Sequence, residues 1–262
     1  MRTLPDSVEH QLAEAVRRLG KPGFETALWA LFQHMVAPDN LIILAYRTAG
    51  PPLVLFQQTR LPQVFSQVET TYLGGAYLLD PFHDLHITRV PSGLYRLTDI
   101  APDAFHRSRY FLEYYRQTTL LDELTFVAYP VPGVTLNICL GRDAASGRAF
   151  LTSEVATCQR LAPVICALAE QHWAGLSAAS GPADDVAGDL IAALAGRGIQ
   201  ITPRQADVAL LILRGHSTPS IGLRLGLSPQ TVKVFRRQLY ARCGLSSQAE
   251  LFALLVPLLR SA

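Results

Sequence analysis

Apolar positions in the first 176 residues change between a helical and a strand period. Helical spacing predicts five helices, over 7–19, 24–36, 64–73, 102–117 and 152–173. In the last of these, Thr152 is the expected cap and Glu154 lies in the first turn. Runs rich in β-branched and aromatic residues predict strands over 40–46, 53–57, 94–97, 123–130 and 134–142. The turns at 50–52 and 131–133 join four of these strands into two hairpins. We therefore expect an α+β sandwich of about five antiparallel strands with flanking helices.

Residues 174–183 are small or polar and include glycine and proline, as in a linker. The predicted organisation is an α+β ligand-sensing and dimerisation domain at 1–176, a linker at 177–197 and a helical domain at 198–262. A short helix over 184–194 fits within the linker.

The last 65 residues predict four helices, over 203–214, 217–225, 229–242 and 247–256. The second is followed by Gly226, a three-residue turn, a serine cap at Ser228 and Pro229 in the first turn of the next helix. This spacing is typical of a helix-turn-helix. The C-terminal domain is therefore predicted to be all-α with four helices.

The third of these helices is predicted to have two different faces. At 100° per residue, Val232, Leu239 and Cys243 fall on one side and belong to the core. The opposite side carries Gln230, Lys233, Val234, Arg237 and Ala241. A lysine and an arginine one turn apart can reach guanine acceptors in a major groove, and Val234 can contact a thymine methyl. Thr231, Ser228 and the first-turn amides are expected near phosphate. An ordinary solvated helix is the alternative.

Charge supports the nucleic-acid interpretation. Residues 197–262 hold nine basic residues against two acidic ones, a surplus of seven, whereas residues 1–196 hold 14 against 19. A basic module joined to a mildly acidic one is the pattern of a DNA reader with a second domain. The chain shows no apolar signal core and no stretch long enough to span a bilayer, so we expect a cytoplasmic protein without a membrane partner. The four cysteines are expected to be reduced and mostly buried.

Residues 201–255 resemble the LuxR-type (GerE) helix-turn-helix domain of bacterial transcription regulators. The resemblance rests on residues that recur in order at the family's spacing: Thr202, Arg204, Gly215, Ser217, Ile221, Leu225, 227–229, 231–234, Arg236, Arg237, Tyr240, Leu245, Ser247 and 249–251. It implies a sequence-specific regulator in which Lys233, Val234 and Arg237 contact bases of a double-stranded operator. It also implies dimerisation through the last helix, so the operator is expected to be an inverted repeat bound by a homodimer. Arg236 is included among the expected DNA contacts.

This sequence departs from the family at three places. Gln205 replaces the usual glutamate, residues 218–220 replace Asn-Lys-Glu, and Phe235 replaces the usual histidine. The first two remove charges that support the fold or contact phosphate. None lies at a predicted base contact.

Aromatic residues in the first domain predict a small-molecule pocket, because such pockets combine aromatic walls with a few polar anchors. The candidates are Tyr72, Tyr77, Asp80, Tyr95, Phe105, Tyr110, Tyr114 and Phe126. The order Tyr72, Tyr77, Asp80, Pro81 resembles the signature of acyl-homoserine-lactone sensor domains, but it is one residue short and lacks the usual tryptophans. A GAF- or PAS-like sensor for another ligand is the favoured interpretation. Half-buried core tyrosines are the alternative.

Other functions find less support in the sequence. The first domain has one lysine and no parallel βα pattern, which argues against a phosphorylation receiver. It has no P-loop, which excludes an ATPase sensor. His83, Asp84 and His86 lack the spacing of a metal site, and no nucleophile motif indicates catalysis, so neither a cofactor nor an enzymatic activity is expected. A constitutive or protein-partner-controlled dimer without a ligand remains an alternative to the sensor, and an enzyme domain fused to a DNA reader is a second.

Overall fold

A computed structural model describes residues 4–178 and 185–259. The five strands are β1 Asn40–Arg47, β2 Leu53–Thr59, β3 Gly93–Arg96, β4 Leu120–Ala128 and β5 Val134–Asp143. The α-helices described are α1 Asp6–Arg17, α2 Phe24–Met35, α3 Pro81–Ile87, α4 Leu97–Ile100, α5 Arg109–Glu113, α6 Thr152–His172, α7 Val186–Ala195, α8 Pro203–Arg214, α9 Thr218–Leu225, α10 Pro229–Cys243 and α11 Gln248–Leu259. None of the helices in the described ranges has both the length and the apolar character of a bilayer span.

The chain divides into two compact units. The sheet unit comprises Met1–Ser66, Phe82–Ile100 and Thr118–Pro182. The helix unit comprises Gln67–Pro81, Ala101–Gln117 and Ala183–Ala262. Two short stretches of the predicted first domain therefore pack with the C-terminal helices. Residues 179–184 of the predicted linker lie outside the described residues, and α7 occupies most of its second half.

The sheet unit is built on one antiparallel sheet with the strand order β2-β1-β5-β4-β3. Both predicted hairpins are confirmed: β1 pairs with β2, and β4 pairs with β5. β5 lies at the centre because it pairs with β1 on one side and with β4 on the other. The whole of β1 pairs with it, from Asn40 opposite Gly141 to Arg47 opposite Val134. The prediction of an α+β unit with five antiparallel strands is confirmed.

The core of the sheet unit lies between one face of the sheet and α1, α2 and α6. Alternate residues of each central strand point to this face, as the two-residue period of a strand requires. On β4 these are Leu124, Phe126 and Ala128, and all three are completely buried. The Phe126 ring stacks on Phe32 of α2, with ring centroids 5.5 Å apart. Burial of these apolar side chains is the main stabilising contribution of the unit.

A buried ion network fixes the start of α6. Arg142 donates to the backbone oxygens of Val36 and Ala37 at 2.6 and 2.7 Å, and to Glu154 at 2.8 Å. The Glu154 carboxylate also accepts from the Leu151 amide at 2.7 Å. The N-cap is therefore Leu151, one position earlier than the predicted cap Thr152, which is the first helical residue. Burial alone would raise the pKa of Glu154, but hydrogen bonds from Arg148 and Leu151 and the two arginine charges lower it.

Two predicted helices are broken in the structure. Over 64–73 the chain forms a 3₁₀ turn, Pro62–Phe65, and a π-helical segment, Val68–Tyr72. Over 102–117 it forms a 3₁₀ turn, then α5, then a second 3₁₀ turn. The break before α5 has a clear cause: Ser108 has extended backbone angles and its hydroxyl accepts from the Phe111 amide at 3.1 Å. A serine that caps a new helix cannot also continue the preceding one.

The four predicted C-terminal helices are confirmed as α8 to α11. Thr202 caps α8, and Gly215, Gly226 and Gly244 end α8, α9 and α10 with left-handed backbone angles. This conformation costs little only for glycine, so these residues define where the helices stop.

Candidate nucleic-acid interface and aromatic cluster

The turn between α9 and α10 is tight, and glycine at two positions makes it possible: Gly222 leaves room for a neighbouring oxygen, and Gly226 adopts a left-handed backbone angle. The Leu227 amide donates to the Gly222 oxygen at 2.8 Å. A Cβ on Gly222 would lie 2.7 Å from the Leu227 oxygen, closer than atoms tolerate. Gly226 then takes a φ of +65°, and Ser228 accepts from the Thr231 amide at 3.0 Å to begin α10. The sequence thus fixes the geometry of a helix-turn-helix locally.

The two faces of α10 follow the helical wheel. Val232 and Leu239 are completely buried. Lys233, Arg237 and Gln230 are exposed, and Val234 is 37% exposed. Cys243, expected in the core, is only half-buried at the end of the helix. The outward face therefore presents two cations and one apolar side chain to solvent, the combination that a major groove can accept.

Arg236 differs from its neighbour Arg237 in being held by its own domain. Its Nε donates to the Tyr240 hydroxyl at 3.2 Å and its guanidinium lies 5.3 Å from the centre of the Tyr240 ring. A second bond reaches Gln248 at 3.4 Å. Because these contacts restrict its position, Arg236 presents its charge at a fixed point at the edge of α10.

Two hydroxyls lie at the exposed start of α10. The Ser228 hydroxyl lies 2.7 Å from that of Thr231, and both belong to the cap of the helix. The first-turn amides of α10 lie beside them. A helix N-terminus with exposed hydroxyls is suited to a phosphate, because the amides and the helix dipole both favour an anion.

The contacts of Gln205 explain why a glutamine can stand where the family usually has a glutamate. Its side chain is 1% exposed, and its Oε1 accepts from the Thr202 amide at 3.0 Å and from Arg242 at 3.1 Å. Its Nε2 donates to Gln238 at 3.2 Å. A glutamate could accept the first two bonds but could not donate the third without a proton. The amide therefore keeps the capping box of α8 and adds a bond to α10.

Six of the eight residues predicted for a ligand pocket come together in the helix unit. Tyr77, Tyr72, Tyr114, Tyr110 and Phe105 form a chain of rings with successive centroid distances of 6.4, 5.4, 5.5 and 6.2 Å. The Tyr72 hydroxyl donates to the Asp80 carboxylate at 2.6 Å. All six side chains are buried. We call these six residues the aromatic cluster.

The other two predicted pocket residues lie in the sheet unit. Tyr95 is on β3, and its hydroxyl donates to the Pro91 oxygen at 2.7 Å. Phe126 is on β4 in the core against α2. Their part in ligand binding stays a prediction, and neither belongs to the aromatic cluster.

The sheet unit also has a polar face that the sequence analysis missed. Opposite the helix-covered face, Thr125, Thr135, Asn137 and Cys139 are buried on β4 and β5. The Asn137 Nδ2 donates to the Phe82 oxygen at 3.1 Å, whereas its Oδ1 meets no hydrogen-bond donor within the part of the chain that the structure describes. The signal in the sequence was Thr125 on β4 and Thr135 and Asn137 on β5, which alternate with apolar residues.

Three of the four cysteines are buried thiols. Burial raises the pKa of the Cys158 thiol to about 12, which keeps it protonated and unreactive. Cys139 and Cys166 are buried as well. Over residues 4–178 and 185–259, no group of three histidine, cysteine or acidic side chains is arranged to hold a metal ion.

Comparisons with known proteins agree with this architecture. Residues 200–255 match the family described as bacterial regulatory proteins, luxR family (GerE). A putative HTH-type transcriptional regulator in the exeN 3′ region of Aeromonas salmonicida is 29% identical over 183 residues, which cover 67% of this chain and 92% of that protein.

Two solved structures are also similar. The crystal structure of the VqsR LBD domain from Pseudomonas aeruginosa matches with a TM-score of 0.54 and 24% identity, over 64% of this chain and 98% of that one. SdiA from Escherichia coli matches with a TM-score of 0.37 and 15% identity, over 99% and 93% of the two chains. The VqsR comparison shows that the first part of this chain shares the fold of that domain.

Proposed function

We propose that this chain, whose C-terminal domain belongs to the luxR family of bacterial regulatory proteins, is a transcription regulator that reads double-stranded DNA with α10. The observation that carries this proposal is the exposed face of α10, where Lys233, Val234 and Arg237 lie together on a helix whose other face is buried. Lys233 and Arg237 are the proposed base contacts, and Val234 the proposed contact to a thymine methyl.

Phosphate contacts are proposed for the edges of the same helix. Ser228 and Thr231 lie at its N-terminus, where the helix dipole favours an anion. Gln230 is exposed in the first turn. Arg236 is held in place by Tyr240 and Gln248, so it can contact a phosphate without losing much side-chain freedom. Such contacts position the protein, whereas the base contacts set the sequence preference.

The proposal includes a homodimer on an inverted repeat. One helix-turn-helix buries a small interface with DNA, and two joined modules multiply the affinity. The last helix, α11, is the proposed dimer contact. Since duplex DNA is the proposed binding partner, the protein is proposed to act in the bacterial cytoplasm. No catalytic step is proposed.

A small-molecule ligand is proposed for the first domain, with the aromatic cluster as its contact surface. Support comes from the fold shared with the VqsR LBD domain and from the buried hydroxyls and carboxylate of the cluster. Aromatic walls with few polar anchors are the usual composition of such sites. The alternative is a constitutive or partner-controlled dimer, in which these residues serve packing alone; the Tyr72 variant described below separates the two.

The DNA-binding proposal is tested by replacing the two cations on the outer face of α10. We expect Lys233→Ala and Arg237→Ala each to weaken binding to the preferred duplex by about five- to a hundredfold and to reduce its advantage over a scrambled duplex. The preferred duplex would first be selected by the wild-type protein from a random pool, and affinity measured by fluorescence anisotropy at fixed salt.

Arg197→Ala is the matched control, because Arg197 is an exposed arginine in the same unit but outside α10. It removes the same charge and should leave the preference for the selected duplex unchanged. An unaltered preference in both α10 variants would contradict the groove assignment.

A further inference from the structure

Within the helix unit, the segment 101–108 lies against the turn between α8 and α9. The Ala104 amide donates to the Gly215 oxygen at 3.1 Å. The Ser217 amide donates to the Asp103 carboxylate at 2.9 Å. Residues on both sides of His216 are thus bonded to a segment that lies more than a hundred residues earlier in the chain.

The approach at Gly215 is close. A Cβ at this position would lie 2.8 Å from the Cβ of Ser108 and 3.3 Å from the Ala104 oxygen. Phe105 and Ser108 are buried in this arrangement, with 5% and 0% exposure. Arg214, the last residue of α8, donates to the Leu78 oxygen at 3.2 Å and so adds a contact from the stretch 67–81. The turn between α8 and α9 is therefore docked on residues of the predicted sensor.

Asp103 places a negative charge at the start of α9. Burial alone would raise its pKa, but the hydrogen bonds with Ser217 and the charge of His216 lower it. The carboxylate is therefore ionised at neutral pH. It accepts from the amide of Ser217, the N-cap residue of α9, where the positive end of the helix dipole favours an anion.

We propose that the segment 101–108 is an autoinhibitory cover, in which Asp103 takes the place of a DNA phosphate at the start of α9. The proposal rests on the function proposed above. In helix-turn-helix proteins the first helix of the motif crosses the DNA backbone, and helix N-termini donate to phosphates. A carboxylate and a phosphate at one amide would repel each other and compete for the same donor. Docking of the cover and tight binding of DNA therefore exclude each other.

The surroundings of the cover favour an anion. A cleft of about 560 Å³ beside it is lined by Arg107, Arg236, Phe252 and residues 215–219. Arg236 is one of the proposed phosphate contacts. Arg107 belongs to the cover and leaves with it, whereas Arg236 stays beside the start of α9 as a cation for a DNA phosphate once Asp103 has left.

The cover is continuous with the aromatic cluster. The Phe105 ring contacts Tyr110 at 6.2 Å between centroids, and Tyr110 contacts Tyr114 at 5.5 Å. Phe105 follows Asp103 and Ala104 directly in the chain. A ligand that displaces Phe105 therefore also displaces both groups that bind the turn, which gives ligand and DNA a shared two-state element.

The test is the DNA affinity of full-length Asp103→Ala and Asp103→Asn, with Asp99→Ala as the control. Asp99 is exposed, has the same charge and lies four residues earlier, where its carboxylate accepts from Thr98. We expect Asp103→Ala to bind the selected duplex about three- to tenfold more tightly than the wild type, allowing for the exposure of Asp103. The affinity of Asp103→Asn should lie between those of Asp103→Ala and the wild type, because asparagine keeps an acceptor and loses the charge. Asp99→Ala should stay within about twofold of the wild type.

Amide hydrogen exchange of the wild-type protein gives a second measurement that needs no variant. We expect the Ala104 amide to exchange faster when duplex is bound, because it loses the Gly215 oxygen. The Ser217 amide should stay protected, because a phosphate replaces the Asp103 carboxylate there. Equal affinities of Asp103→Ala and Asp99→Ala, or unchanged exchange of the Ala104 amide with duplex bound, would overturn the cover. Failure of every variant and of the wild type to bind any duplex would instead contradict the DNA-reading function, and the cover with it.

Discussion

Two groups of aromatic side chains are buried in this molecule, and they differ in their polar atoms. The group between the sheet and its helices consists of Phe24, Phe32, Phe126, Phe150 and Trp173, and none of these carries a hydroxyl. Tyr46 is also buried in this unit but alternates with the core residues of β1, so it lies on the other face of the sheet. The group in the helix unit is dominated by tyrosines. Burying a hydroxyl costs free energy unless it is hydrogen-bonded, so phenylalanine is the better residue where packing is the sole requirement. The first group therefore has the composition expected of packing alone, and the second has the composition expected of the proposed ligand surface.

The difference extends to the neighbours of each group. Phe126 lies among aliphatic side chains from the sheet and two helices. Tyr72 lies against another tyrosine and bonds a buried carboxylate, Asp80. A carboxylate inside an aromatic cluster contributes little to packing but provides a strong acceptor for a polar ligand group. Substitutions in the two groups should therefore affect different measurements.

The largest effect is expected for Phe126→Ala. Phe126 is completely buried and its ring stacks on Phe32, so its removal leaves a cavity in the core of the sheet unit. We expect the free energy of unfolding to fall by about 3–5 kcal/mol, measured by urea denaturation with circular dichroism.

Phe126→Leu serves as its control, since a smaller loss is expected when most of the volume is kept. If Phe126→Ala instead retains wild-type stability, Phe126 does not belong to the core and its predicted role at a ligand site regains support.

The same comparison shows what the sequence could predict. The sheet with its two hairpins and the faces of α10 follow from periods of two and 3.6 residues, which are local properties of the chain. Gly215, Gly226 and Ser228 mark helix ends because their backbone angles or hydroxyls satisfy local requirements. These features need no information about distant residues.

Long-range packing was not predictable in this way. The break before α5 depends on Ser108, whose capping bond competes with the helical pattern of the residues around it. The association of 67–81 and 101–117 with the C-terminal helices depends on contacts such as that of Ala104 with Gly215. No spacing in the sequence encodes such a contact. For this reason the members of the aromatic cluster could be predicted, but its connection to the helix-turn-helix could not.

An intermediate effect is expected for Tyr72→Phe, which removes one hydroxyl from the aromatic cluster. The substitution takes away the 2.6 Å bond to Asp80, so we expect a loss of about 1–3 kcal/mol in the free energy of unfolding. In a thermal-shift screen of metabolites, compounds that stabilise the wild type should stabilise this variant less.

Tyr129→Phe is the matched control for that experiment. Its hydroxyl also makes one short bond, to the Val90 oxygen at 2.5 Å, but it lies in the sheet unit outside the cluster. This variant should lose stability and keep the wild-type response to ligands. If Tyr72→Phe keeps that response too, or if no metabolite stabilises the wild type, the constitutive or partner-controlled dimer is the better description.

The smallest effect is expected for Tyr95→Phe. Burial, together with the thiol of Cys166, raises the pKa of Tyr95, so the hydroxyl is protonated at neutral pH and donates to the Pro91 oxygen four residues away. That bond is local and exposed, and water can replace it, so we expect the free energy of unfolding to fall by about 1 kcal/mol or less. The ligand response should match that of the wild type, because the hydroxyl is already bonded to the nearby Pro91 oxygen. A loss of ligand response without a loss of stability would place Tyr95 at the ligand, and the division between a packing group and a recognition group would then extend across both units.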